Sequence, residues 1–225
     1  MSGAIVAMGG GPLLHAEAWL EDELLRLAPS ERPVVCFLAT AVADDAGALV
    51  SFYEAFAPRD CRPTHVELFG MPEDPAGRVA AADVVYVHGG NTANMLALWR
   101  LHGVDEALMA AWEERGAVLG GWSAGGCCWF DAFVTDSFGP ELRGYGNGLG
   151  LVSGSFCPHY DGQAERRPTF ERLVADGFPP GYAADDGAAA VFGADGFVEA
   201  ITQRDCASVW RVGPDGSQTV PTRRL

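Results

Sequence analysis

Residues 118–128 read VLGGWSAGGCC. A short apolar run, Val118-Leu119, enters Gly121-Trp122-Ser123-Ala124-Gly125, and small residues follow. The run predicts a buried strand, and Ala124–Phe130 can start a helix. G-x-S-x-G between a strand and a helix is the pattern of a nucleophile elbow, where a serine sits on a sharp turn. Such a turn strains the serine backbone, and side chains two residues to either side would collide. The hydroxyl then projects outward, and the amides opening the helix point at any negative charge that develops beside it. A structural reading competes, because a chain with 29 glycines and nine serines can produce this pattern as a tightly packed turn.

The surrounding segments supply a context. Ala4–Met8, Val34–Ala39, His65–Phe69 and Val84–Val87 are short, apolar and rich in β-branched or aromatic residues, as strands are. Helical patterns lie between and after them: His15–Leu27, Ala46–Phe56, Ala76–Ala82, Thr92–His102 and Asp105–Arg115. This alternation predicts an α/β fold, a mostly parallel sheet with helices on both faces. Ligands in such folds bind beyond the carboxyl ends of the strands, where Gly89-Gly90 and Gly120-Gly121 both fall. The last third changes character. Residues 139–150 are rich in Gly and turn residues. Strands are expected at Val152–Phe156, Ala188–Phe192, Phe197–Ile201 and Ser208–Val212, with a helix at Pro168–Ala175. These predict an antiparallel C-terminal extension of the sheet within a single domain spanning 1–225, with 214–225 frayed.

Composition narrows the function. Thirty acidic and 15 basic residues give a net charge of −15, which repels nucleic acid. Every basic residue is Arg; the absence of Lys excludes P-loop, Schiff-base and Ser–Lys chemistry. No apolar run is long enough to span a bilayer, and the N-terminus reads as a strand, so a cytoplasmic protein is expected. The six cysteines form no C-x-x-C pair, and neither a metal nor a cofactor is expected.

A serine nucleophile needs a base. Of five histidines, His15 and His102 fall on helical patterns with polar neighbours, and His65 falls in an expected edge strand. His159, in Phe156-Cys157-Pro158-His159-Tyr160, follows a short strand, and the proline helps to aim it. His88 ranks second, because Gly89-Gly90 beside it suits an oxyanion hole made of backbone amides. Asn91 suits the N-cap of the helix at Thr92. Asp131, Asp136, Asp185 and Asp186 are the downstream carboxylates that could orient the histidine.

Three segments, VHGGNTANML, GGWSAGG and CPHY, resemble in this order the peptidase E and cyanophycinase family of serine peptidases. The resemblance runs from the first strand to about Phe192. It implies a flavodoxin-like sheet related to class I glutamine amidotransferases. It places the nucleophile on Ser123, the base on His159 and the oxyanion donors on the amides of Gly90 and Ala124, with Gly89 beside them. The family acid falls on Asp186, a methylene shorter than the usual Glu, with Asp136 the alternative. Arg166 and Arg167 are candidates for a substrate carboxylate, with Asn91 nearby. The implied substrate is a small peptide with an N-terminal Asp or a β-aspartyl linkage, cleaved by a monomer or homodimer. Three other readings remain at this point: a cyanophycinase-like isopeptidase, an α/β-hydrolase esterase, and a binding domain without turnover. The esterase shares the elbow and the order Ser123, Asp136, His159.

Overall fold

A computed structural model describes residues 3–11 and 19–225. The first half alternates as expected, with strands β1 (Ile5–Met8), β2 (Val34–Leu38), β3 (Arg62–Val66), β4 (Val84–Val87) and β5 (Val118–Trp122). Its helices are α1 (Trp19–Leu27), α2 (Ala46–Phe56), α3 (Pro75–Ala80), α4 (Thr92–His102) and α5 (Val104–Arg115). The expected helix start at His15 lies outside the described residues. The second half holds α6 (Ala124–Cys127), β6 (Phe130–Thr135), β7 (Arg143–Tyr145), β8 (Val152–Cys157), α7 (Arg166–Ala175) and β9 (Gly181–Ala184). It closes with β10 (Ala188–Gly193), β11 (Gly196–Thr202), β12 (Val209–Gly213), β13 (Gly216–Thr219) and β14 (Thr222–Arg224).

One eight-stranded sheet runs β14-β11-β10-β1-β5-β4-β2-β3. Its β1-β5-β4-β2-β3 part is wholly parallel, and β10 joins β1 antiparallel. The fold is therefore flavodoxin-like α/β. Alternation along each strand divides the core. Val6, Val35 and Phe37 pack with Leu20, Leu24, Phe52 and Phe56 of α1 and α2. Ile5, Val85 and Leu119 pack on the other face with Met95, Trp99 and Leu108 of α4 and α5.

The last third departs from the expectation of a simple extension. Only β10, β11 and β14 extend the first sheet; the rest form a second sheet ordered β13-β12-β9-β8-β6-β7. Phe130 and Phe156 stack at 5.0 Å, and Phe192 of the first sheet meets Phe130 edge-on, so one core joins the two sheets.

Three boundaries also move. The elbow helix stops at Cys127 rather than Phe130, because Phe130 turns fully inward to open β6. The third strand lies at Arg62–Val66, not His65–Phe69; beyond it the Leu68 and Phe69 amides turn to the Asp44 carboxylate. The tail expected to fray supplies β13 and β14, paired through backbone with little burial. Among the described residues no helix is long and apolar enough to cross a membrane.

Candidate active site

Parallel pairing sets Met8 beside Trp122 and Val87 beside Gly121, so β1, β5 and β4 end together and Ser123 emerges between the other two. The Ser123 amide donates to the Met8 and Gly9 carbonyls, both at 3.2 Å. Its backbone lies at φ 54°, ψ −111°, a conformation that costs a non-glycine residue on the order of 1–3 kcal/mol. The flanking glycines have a steric reason: a Cβ on Gly121 or on Gly125 would stand 2.3 Å from the Val87 carbonyl oxygen. The elbow is thus packed directly against the end of β4.

That end leads into His88-Gly89-Gly90. Gly90 has φ 137°, and a Cβ there would meet the Ala41 carbonyl oxygen at 2.4 Å. A Cβ on Gly89 would strike the Trp122 ring. Glycine lets this loop lie flat against the residue before the serine. The Asn91 side chain is committed at both ends, with Oδ1 accepting from the Asn94 amide and Nδ2 donating to the Ser137 carbonyl. Asn91 therefore caps α4 and ties the loop to residue 137.

The second sheet brings the histidine. Parallel β8 and β9 set Cys157 beside Ala183, so the segments after both strands leave from the same end. His159 follows β8 at φ 53°, again left-handed, and its Nδ1 donates to Asp186 Oδ1 at 2.7 Å. Both side chains are mostly buried, at 17% and 21% exposure, where water competes little for the bond. The carboxylate fixes the proton on Nδ1 and leaves Nε2 as the basic nitrogen. Asp186 is held in turn: its amide donates to Asp161, and its carbonyl accepts from Arg204 Nη1 at 2.6 Å. Gly10 pairs with Asp186 across a single bridge, and a Cβ on Gly10 would overlap Asp186 Oδ1 at 1.9 Å.

A cavity of about 320 Å³ contains Gly90, Asn91, Ser123, Asp136, His159 and Arg166, together with Ser137 and Gln163. The last two were not singled out in the sequence. Ser137 is the immediate neighbour of Asp136, which was the available signal; Gln163 sits four residues past His159 with nothing to mark it. Arg166 is almost wholly buried. Its Nε donates to Gln163, Nη1 to the Val134 carbonyl, and Nη2 reaches Asp136 at 3.4 Å. Asp136 is thus engaged with the arginine, while Asp186 holds the histidine.

Other sequence candidates are placed elsewhere. Arg167 lies over the Trp210 ring at 4.4 Å and bonds Glu171, away from this cavity. His88 packs against Trp122 and gives its Nδ1 proton to the Gly89 carbonyl; burial lowers its pKa. Asp131 accepts from the Gly154 amide. Five of the six cysteines are buried, and among the described residues no cluster of His, Cys, Asp or Glu could hold a metal ion.

Asp185, next to the histidine's partner, is structural. It accepts from the Ser208 amide and the Trp210 indole, and burial pushes its carboxyl up to about 6. A carboxyl raised in the folded state binds its proton more tightly there than in the unfolded chain. Its contribution is therefore full below about pH 4 and is lost as pH rises through about 6. Denaturant titrations at several pH values should show this loss in the wild type. Asp185→Asn should flatten that part of the profile; an unchanged slope would remove Asp185 as its source.

The profile of peptidase family S51 matches residues 5–199. The chain is 44% identical over 214 residues to the uncharacterized peptidase YgaJ of Bacillus subtilis (strain 168), covering 92% of this chain and 91% of that one. It is 32% identical over 156 residues to peptidase E of Citrobacter koseri, covering 65% of each. Its fold is similar to that of a crystallised peptidase from an acI-B1 Actinobacterium, with TM-score 0.75 and 15% identity over 99% of this chain and 95% of that one. A family profile spanning both the elbow and the His–Asp pair, together with a relative aligned along nearly its whole length, makes this chain a member of peptidase family S51.

Proposed function

We propose that this protein is a serine peptidase that removes an N-terminal Asp, α- or β-linked, from short peptides. The 2.7 Å bond between Asp186 and His159, which lines the same cavity as Ser123, carries this reading. His159 Nε2 takes the Ser123 proton as Oγ attacks the scissile carbonyl. The Gly90 and Ala124 amides, with Gly89 beside them, receive the oxyanion; losing one such donor typically costs about 3 kcal/mol. His159 then protonates the leaving amine, and water frees the acyl-enzyme. Asp186 keeps the imidazole tautomer and balances the charge of the imidazolium.

Arg166 supplies the specificity. The chain carries a net charge of −15, so long-range steering works against an acidic substrate and a local cation has to select it. Arg166 lines the cleft, and its contact with half-exposed Asp136 is long enough for a substrate carboxylate to compete. A panel of Asp-X, β-Asp-X and neutral dipeptides tests the assignment. Asp-terminated substrates should lead in kcat/KM, and Arg166→Gln should cut that lead by roughly 30-fold or more. Reaction of Ser123 with a small fluorophosphonate should persist in that variant. Equal turnover of neutral and acidic dipeptides by the wild type would overturn the substrate assignment while leaving the nucleophile in place.

A further inference from the structure

A second cavity, of about 410 Å³, lies on the α1–α2 face of the main sheet and shares no lining residue with the catalytic cleft. Its inner walls are the rings of Phe37, Phe52, Tyr86 and Trp122. Glu21, 4% exposed, also lines it. Tyr86 donates to Glu21 Oε1 at 3.0 Å, but Oε2 has no hydrogen-bond partner among the described residues. A buried carboxyl oxygen left without a donor carries a desolvation cost that a ligand donor would relieve.

The rest of the lining has one sign. Asp45 and Glu54, both exposed, add two more carboxylates. No Arg is among the lining residues, the chain has no Lys, and burial disfavours the charged form of His88. Arg59 acts on Glu21 from outside the cavity and is itself bonded to Asp22 and the Ala55 carbonyl. Aromatic rings around an unfilled carboxyl acceptor suit an organic cation: the rings attract it through their quadrupoles, its N–H bonds the carboxyl oxygen, and its charge opposes the burial that raises the Glu21 pKa.

We propose that this cavity is a binding site for an organic cation, an alkylguanidinium or alkylammonium, whose donor group bonds Glu21 and whose stem lies among the rings. It is separate from the catalytic cleft but is lined in part by residues that adjoin the cleft in sequence. Trp122 directly precedes Ser123, and His88 directly precedes Gly89-Gly90, so an occupant would rest on the backs of the elbow and the glycine loop.

Calorimetric titration with N-butylguanidinium and its neutral analogue N-butylurea tests this. The wild type should bind the cation at least tenfold tighter than the urea. Glu21→Gln keeps the shape and an acceptor for Tyr86, and should abolish that preference. Ser51→Phe, which puts a ring into the half-buried side of the cavity, should remove binding of both, and it carries the test if Glu21→Gln does not fold. Ser123→Ala should bind the cation as the wild type does, so the outcome is independent of the peptidase assignment. Equal affinity for the two probes, no binding of the cation, unchanged binding in Ser51→Phe, or loss of binding in Ser123→Ala would each overturn the proposal.

Discussion

Ser123→Ala should lower kcat on an Asp-X dipeptide by roughly 10⁴- to 10⁶-fold, with KM and fold little changed. The size follows from the proposed chemistry, in which Ser123 supplies the attacking oxygen in the 320 Å³ cavity that His159 also lines. Ser137 is the other hydroxyl there, but its Oγ is bound to Thr135 and takes the Ala93 amide. Removal of one oxygen should leave the elbow intact, since the Ser123 amide and carbonyl make its anchoring bonds: the amide to Met8 and Gly9, the carbonyl from Gly126 and Cys127. Stopped assays with product analysis, alongside thermal melting, measure both parts.

Asp186→Asn should lower kcat by about 10⁴-fold. The amide that replaces the carboxylate can present its NH₂ to Nδ1, which favours the tautomer with the proton on Nε2, the wrong nitrogen for a base. It also removes the charge that balances the imidazolium. Asp136→Asn provides the contrast. Asp136 touches Arg166, not His159, so its loss should alter KM for acidic substrates far more than kcat. Steady-state kinetics of the two variants separate the alternatives that the sequence left open. If Asp136→Asn carried the larger loss in kcat, Asp136 would be the orienting acid, and the observed His159–Asp186 bond would be incidental.

The first half of the fold was legible because β2, β4 and β5 are unbroken apolar runs and the helices between them carry caps and periodic apolar faces. Asn91 caps α4 as the sequence suggests, and in the structure Asp45 does the same for α2. The second sheet was not legible as such. Phe130–Thr135 continues an apolar stretch already assigned to the elbow helix, and Gly181–Ala184 has too little hydrophobic pattern to announce a strand. β13 and β14 are polar and exposed, held by backbone pairing that no side-chain pattern reports.

The site divided along the same line. Ser123, Gly90 and Asn91 sit in local motifs, so their arrangement could be read from neighbours in sequence. The partnership of His159 with Asp186 depends on β8 and β9 ending side by side, a fact of tertiary register. The same is true of the room made for that pair by Gly10, which comes from the far end of the chain. Adjacent Arg166 and Arg167 looked equivalent; the first turn of α7 sends one into the cleft and the other onto Trp210.

The central claim is that the strained serine of the elbow is a nucleophile activated by His159. Intact-protein mass spectrometry after exposure to a fluorophosphonate, with the adduct located by peptide mapping, tests it most directly. One adduct per chain is expected, on Ser123, absent from Ser123→Ala and formed far more slowly in His159→Ala. Labelling that persists in Ser123→Ala, or that proceeds at the wild-type rate without His159, would contradict the account.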